Sequence, residues 1–364
     1  MRGNNPVEAM SVATAQLEIG TEGRLGVIAL NRPEAINALS LGMIEGITRQ
    51  LTAWRDDPKV RAVLFEGRGP KGFCAGGDVR YVRERVLAGD MAGAEGYFAT
   101  EYRMNGLIAN YPKPVIAITD GIVMGGGIGI AGHAAFRITT PSARYAMPEA
   151  GIGFVSDVGV NWILSKAPEH RALLFLLAGL PVSGADVLAL GLADCCLPLE
   201  RLGEVRAGVV AAAATGDIEP ALVALLQSES IQAGERDLCA IADRIADTFM
   251  LPTAAEIVAE IQEDAVEEPD LAPIGVALAA RSPVSLEAIL MSHRAARMLN
   301  DIDAVLALDL RVAGFMARQP DFVEGVRAQL VDRDQQPKWN PPGFEAIPRE
   351  ALEDAIRGPA GPQA

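Results

Sequence analysis

Three segments of this chain carry residue types that could act together on a carbonyl group. The first is KGFCAGGD, Lys71–Asp78. Ala75, Gly76 and Gly77 have little or no side chain, so the backbone there can approach a ligand and aim amides at a developing oxyanion. The second is MGGGIG, Met124–Gly129, where successive glycines at a helix start leave amides free at the positive end of the dipole. The third is MPEAGIGFVSDVG, Met147–Gly159, which sets Glu149 and Asp157 eight residues apart in a Gly-rich, otherwise apolar run. Carboxylates in apolar surroundings are costly unless they are paired or used, and Pro148 fixes the backbone that leads into Glu149. Amides that hold an oxyanion, beside a carboxylate that handles water or a proton, would serve acyl chemistry.

Each feature alone has a plainer reading. KGFCAGGD could be a tight turn after a strand, and the glycines of MGGGIG could allow close helix packing. Glu149 could be a helix-start acid and Asp157 an exposed loop acid. A nicotinamide reading also exists: Gly127, Gly129 and Gly132 satisfy G-x-G-x-x-G, with Glu149 placed as a ribose acid. That motif needs a strand running straight into its first glycine, and Asp120, Gly121 and further residues intervene, so it ranks below an oxyanion site. Cys74 has no histidine near it in sequence and reads as a small core thiol. There is no G-x-S-x-G elbow and no triad pattern.

The elements that would position these segments alternate through the first half. Ala15–Ile19 and Leu25–Leu30 flank the turn Thr21-Glu22-Gly23 and predict a hairpin. Ser40 is placed to cap a helix on which Ile44, Ile47, Leu51 and Trp54 share a face. Val60–Phe65 and Pro114–Thr119 are apolar strands, each followed by a glycine corner and a helix. A polar helix is predicted from Val79, and another around Met104, Leu107 and Ile108, stopping near Pro112. Repetition of strand, Gly-rich corner and helix predicts an α/β core with two sets of free amides side by side. Beyond Glu200 strand signals almost vanish. Val205–Leu226 is one Ala- and Val-rich run, and Ile241–Phe249, Ala255–Ile261, Leu286–Met298 and Ala304–Met316 predict helices. The division is residues 1–200 as core and 201–364 as a mostly helical region, Pro-rich and polar from Asp334 with a frayed tip, GPAGPQA.

Composition bounds the rest. A chain of 364 residues, half of them hydrophobic, can bury a large core without disulfides. Its four cysteines, Cys74, Cys195, Cys196 and Cys239, and three histidines, His133, His170 and His293, form no metal-binding spacing. This usage suits a reducing cytoplasm, and the opening MRGNNPVEAMSV has no apolar or basic targeting pattern. A net charge of −15 argues against nucleic acid as a partner. Val115–Phe136 carries one charge, Asp120, but its six glycines favour buried core over a membrane span.

NRPEAINALS, KGFCAGGD, GIVMGGGIG and MPEAGIGFVSDVG, in that order and spacing, resemble the crotonase (enoyl-CoA hydratase/isomerase) superfamily over roughly Leu17 to Trp339. TEYRMN, Thr100–Asn105, and DFVEGVRAQLVDRDQQPKW, Asp321–Trp339, are similar to its 3-hydroxyisobutyryl-CoA hydrolase branch. The resemblance implies a spiral of strand-strand-helix turns followed by helices used in homo-oligomer contacts. It implies acyl-CoA as substrate, no metal and no further cofactor, with CoA along Ala35, Ile36, Ala38, Ala75, Gly76, Asp78 and Val79. The oxyanion amides fall on Gly77 and Gly126, the substrate contacts on Glu101, Gly126, Glu149 and Asp157, and the catalytic glutamate on Glu149, with Asp157 assisting. Gly129 stands where two-carboxylate hydratases have their first glutamate, so a side chain there should point into the acyl pocket, and hydration is disfavoured. The branch usually reads FPDVGG; here Ser156 replaces the proline and Val160 the second glycine, while Asp157 is kept. The implied activity is hydrolysis of a 3-hydroxyacyl-CoA. The alternatives are an enoyl-CoA hydratase or isomerase using Glu149 alone, and a non-catalytic acyl-CoA-binding protein.

Overall fold

The computed structural model describes residues 16–231 and 233–358. The opening segment, the first residue of the predicted hairpin and the tip beyond Gly358 lie outside them. The hairpin forms from β1 (Leu17–Glu22) and β2 (Leu25–Leu30), antiparallel. All other strand pairs are parallel: β3 (Ala62–Gly67), β5 (Val115–Ile118), β7 (Phe136–Thr139) and β9 (Cys195–Cys196) extend the first sheet in the order β1-β2-β3-β5-β7-β9. A second, three-stranded sheet holds β4 (Gly72–Cys74), β6 (Ile122–Met124) and β8 (Arg144–Ala146). The strand pairs β3–β4, β5–β6 and β7–β8 each give one strand to each sheet, and helices connect one turn of the spiral to the next as far as β7. These helices are α1 (Leu41–Arg55), α2 (Val79–Leu87), α3 (Met91–Ala109) and α4 (Gly126–Ala131).

The predicted strand-to-corner connections need a correction. Val60–Phe65 and Pro114–Thr119 do not run directly into the glycine corners; β4 and β6 intervene, three residues each. They are too short and glycine-flanked to give a sequence pattern. Yet it is their parallel pairing that sets the two corners side by side.

Alternation along the strands divides the core. Val63, Phe65 and Ala117 face one cluster, while Ala62, Leu64 and Ile116 face the other. The second cluster is covered by the helices Leu202–Ala214 and Ile218–Glu229 through Val205, Val209, Leu222 and Leu226. The segment read as one run, Val205–Leu226, is therefore two helices. Ile241–Phe249 likewise divides into the helix Asp237–Arg244 and a tighter turn, Ala246–Met250. The main cluster runs without a break from Leu17 to Leu352, so the helices beyond Glu200 share the core of the sheets. The polar tail also holds an unforeseen helix, Arg349–Arg357, which buries Leu352. Among the described residues no single helix is long and apolar enough to cross a membrane.

Candidate active site

Three parallel strands end at Cys74, Met124 and Ala146, and the site begins where they stop. Ligands in open parallel sheets sit beyond the carboxyl ends of the strands. Here those ends deliver Gly77, Gly126 and Glu149 to one place. Gly76 and Gly125 have φ of +108° and +47°, a backbone that L side chains avoid, and each turns the next amide outward. A Cβ built on Gly126 would lie 3.3 Å from the Gly77 nitrogen, so the two corners touch. Among the described residues neither the Gly77 nor the Gly126 amide donates a hydrogen bond to a protein acceptor.

The NRPEAINA segment is fastened to the first corner. Ala75 N donates to Ile36 O at 2.9 Å, and Leu39 N to Gly76 O at 2.8 Å. Ile36 and Asn37 adopt left-handed φ of 50° and 56°, and the Asn37 side chain secures the turn by donating to Phe73 O at 2.9 Å. Asp78 caps α2, and Arg32 donates to it at 2.8 Å. Every residue assigned to CoA, Ala35, Ile36, Ala38, Ala75, Gly76, Asp78 and Val79, lines one cavity of about 560 Å³. Gly77, Gly126, Glu101, Glu149 and Asp157 line the same cavity.

Glu149 opens the tight turn Glu149–Ile152, and a Cβ on Gly125 would lie 2.9 Å from its Oε1. Among the described residues its Oε2 is buried without a partner, as is Oε1 of Glu101. Burial holds the Glu149 carboxyl well above the ordinary carboxylate range, and the charges of Asp157 and then Glu101 add to this. Burial and the Asp157 charge do the same to Glu101. Asp157 is buried too, not the exposed loop acid of the plainer reading. Its carboxyl is pushed up by burial and held back by a hydrogen bond from Tyr102. Cys74 is a buried thiol pushed up to about 12 by burial, which fits the core role.

One helix, α3, serves the whole cluster. Glu101 lies against both glycine corners, Tyr102 donates to Asp157, and Asn105 Nδ2 donates to Gly129 O at 2.9 Å. The expectation for Gly129 is corrected here. A Cβ on Gly129 would meet Asn105 Nδ2 and Val158 Cβ, each at 2.8 Å, not open pocket. Val158, not Gly129, lines the cavity.

Sequence reasoning missed several residues. Arg32, Lys71, Arg80 and Arg333 also line the cavity, with Arg32 paired to Asp78 and near Glu34. Arg32 and Lys71 lie in segments already singled out, and Arg333 in the Asp321–Trp339 motif. Asp309 was hidden in the apolar helix Ile302–Ala317; it is buried and accepts from Gly159 N at 2.8 Å. The C-terminal segment also walls the site. Phe322, in the helix Pro320–Val326, packs on Phe154 at 5.3 Å, and Phe154 stacks on Phe98 at 5.0 Å between ring centroids. Leu330 lines the cavity.

Known proteins carry the same organisation. Residues 25–356 match the family described as enoyl-CoA hydratase/isomerase. The chain is 34% identical to the mitochondrial 3-hydroxyisobutyryl-CoA hydrolase of Gallus gallus over 348 residues, 95% of this chain and 89% of that protein. It is 33% identical to 3-hydroxyisobutyryl-CoA hydrolase 1 of Arabidopsis thaliana, over 93% of this chain and 90% of that protein. A crystal structure of a carnitinyl-CoA dehydratase from Mycobacterium thermoresistibile superposes with a TM-score of 0.87 at 36% identity, covering 96% of this chain and 98% of that one. The strand-strand-helix spiral, the paired glycine corners and these matches along nearly the whole length show that the chain belongs to the enoyl-CoA hydratase/isomerase family.

Proposed function

We propose that the chain hydrolyses 3-hydroxyisobutyryl-CoA to 3-hydroxyisobutyrate and free CoA, a step in valine breakdown. The observation that carries this reading is the pairing of two unpartnered glycine amides with one glutamate, at a site where the position of the first hydratase glutamate is a glycine, Gly129, closed off by Val158. The thioester oxygen would lie between the Gly77 and Gly126 amides. Loss of one such donor typically costs ~3–4 kcal/mol of transition-state stabilisation. Glu149 would supply the electron pair, by deprotonating water or by attacking the carbonyl carbon itself to give a mixed anhydride. In either course the C–S bond breaks, the thiolate leaves as CoA, and water supplies the new carboxylate oxygen. Glu101 and Asp157 would bind the acyl hydroxyl or the water, with Ala35, Ile36, Ala38, Ala75, Gly76, Asp78 and Val79 along the CoA. Lys71, Arg80 and Arg333 offer charges for its phosphates, and the reaction so drawn uses no metal and no further cofactor.

The names of the sequence relatives support hydrolysis. The dehydratase at 36% identity favours a second reading, hydration or dehydration through Glu149 alone. A panel of acyl-CoAs with a thiol reagent separates them. Thiol release from 3-hydroxyisobutyryl-CoA supports hydrolysis; no release, with loss of crotonyl-CoA absorbance, replaces it by hydration. A protein that binds acyl-CoA and changes none of them would be a binder only.

Two finer readings belong to the same proposal. Homo-oligomerisation is supported by large exposed apolar side chains in the helical region, Met250, Val266, Val276 and Met298, and light scattering tests it. A cytoplasmic location is supported by four free cysteines, which suit a reducing compartment. The Gallus gallus relative is named mitochondrial, and cell fractionation decides.

A further inference from the structure

We infer that Val158 sets the depth of the acyl pocket and restricts the enzyme to acyl groups of about four carbons or fewer. The inference rests on the hydrolase reading and goes further, to the acyl class. Val158 is 1% exposed and lines the cavity, yet its φ is +54°. A β-branched residue in the left-handed region is a genuine outlier that persists only where its surroundings hold it. Both flanks are held. His133 Nε2 hydrogen-bonds Val158 O at 2.8 Å, and Gly159 N donates to Asp309 Oδ2 at 2.8 Å. Burial drops the His133 pKa to about 4, so the ring is neutral near pH 7 and its Nε2–H donates to the carbonyl.

This clamp presses the isopropyl group onto α4. The Val158 Cβ lies 2.8 Å and its Cγ2 3.2 Å from the point where a Gly129 Cβ would stand. The valine therefore fills the space that a side chain at residue 129 would need, and closes the pocket at that depth. Gly129 lies three residues beyond the oxyanion amide of Gly126, about 4.5 Å along the helix. At ~1.5 Å per carbon–carbon bond, that leaves room for roughly three carbons past the carbonyl. A three-carbon chain bearing a methyl branch and a terminal hydroxyl fits, with Asp157 adjacent in sequence to receive the hydroxyl. Longer chains meet the valine.

The test compares wild type, Val158→Ala and Val158→Ile on 3-hydroxypropionyl-, 3-hydroxyisobutyryl-, 3-hydroxybutyryl- and 3-hydroxyhexanoyl-CoA, reading thiol release. Wild type should favour the first three over the six-carbon substrate. Val158→Ala should raise kcat/KM for 3-hydroxyhexanoyl-CoA at least tenfold relative to 3-hydroxypropionyl-CoA. Val158→Ile should lower the ratio of branched to unbranched three-carbon turnover. Inhibition by free CoA, which contacts other segments, should change less than twofold in both variants and reports that they are folded. Should the alanine variant not purify, the isoleucine variant still decides. An active wild type whose selectivity ratios, for chain length in Val158→Ala and for branching in Val158→Ile, are unmoved in the purified variants would overturn the role of Val158. A wild type that releases no thiol from any substrate would overturn the hydrolase reading instead.

Discussion

Tyr102 donates its phenolic proton to Asp157 Oδ2 at 2.5 Å, and both side chains are buried. This bond joins α3 to the loop after Phe154 and counters the burial that pushes the Asp157 carboxyl up. Tyr102→Phe removes a hydrogen bond to a charged group, typically worth about 1.5–3 kcal/mol. The expected outcome is a loss of ~10–100-fold in kcat/KM on hydroxylated acyl-CoAs. A smaller loss is expected on isobutyryl-CoA, which lacks the hydroxyl that Asp157 is proposed to hold. Steady-state assays on the two substrates check this; equal losses on both would assign the bond to general architecture.

Glu149→Gln should separate activity from stability. An amide neither accepts a proton nor forms an anhydride, so kcat should fall by ~10²–10⁴ with little change in CoA affinity. The stability effect has a definite sign. Unfolded, the Glu149 carboxyl titrates in the ordinary range; folded, burial and the charge of Asp157 hold it well above. The folded protein then keeps a proton that the unfolded chain has lost. Stability from this group is complete below the ordinary carboxylate range and falls as pH rises toward the folded pKa. Glutamine removes that fall, so the gain in Tm over wild type should be larger at pH 8 than at pH 5, as thermal melts at the two values will show.

The pH profile should follow the neighbouring charges. In the proposed mechanism Glu149 works ionised, so activity should rise with pH through its folded pKa. After burial, Asp157 and then Glu101 are the causes that raise that pKa. Asp157→Asn should move the acid limb of kcat/KM to lower pH, and Glu101→Gln should move it less. A limb that stays fixed in both variants would mean that another group controls it.

Much of this fold was legible because local signals agreed with the tertiary outcome. Ser40 caps α1 as its position suggested, and Ile44, Ile47, Leu51 and Trp54 are all buried on one face. The glycine corners were legible because few residues other than glycine tolerate φ of +108° or +47°. What stayed hidden was set by distant partners. A three-residue strand such as β6 has too few positions to show a period. Asp309 looked like one polar residue on an apolar helix, and only the fold brings it to Gly159 N. The left-handed Val158 has no local cause, since its clamps, His133 and Asp309, lie 25 and 151 positions away in the chain. The cavity cations Arg80 and Arg333 likewise come from separate regions.

The helices beyond Glu200 should be needed to close the site. Phe322 is fully buried and packs on Phe154, which stacks on Phe98 of the cavity wall. Around it, Asp321 accepts from Ser282 Oγ and from Asn340 N, both at 2.6 Å, so the segment is tied to its neighbours by polar contacts as well. Arg83 of α2 donates to Val323 O at 2.9 Å, and Arg80 to Leu330 O, which binds the segment to the helix that follows the first glycine corner. Phe322→Ala should cost about 3–5 kcal/mol of stability, the usual range for a buried aromatic cut to alanine. It should also lower kcat/KM, because Phe154 of the cavity wall loses a packing partner. A chain ending at Glu200 loses this wall and the cover of the six-stranded sheet together, exposing Leu64, Ile116 and their neighbours. It should be poorly soluble and inactive, whereas the full chain should run above monomer mass in light scattering. A soluble, active shortened chain would place the closing of the site within residues 1–200 and leave the helical region a separate unit.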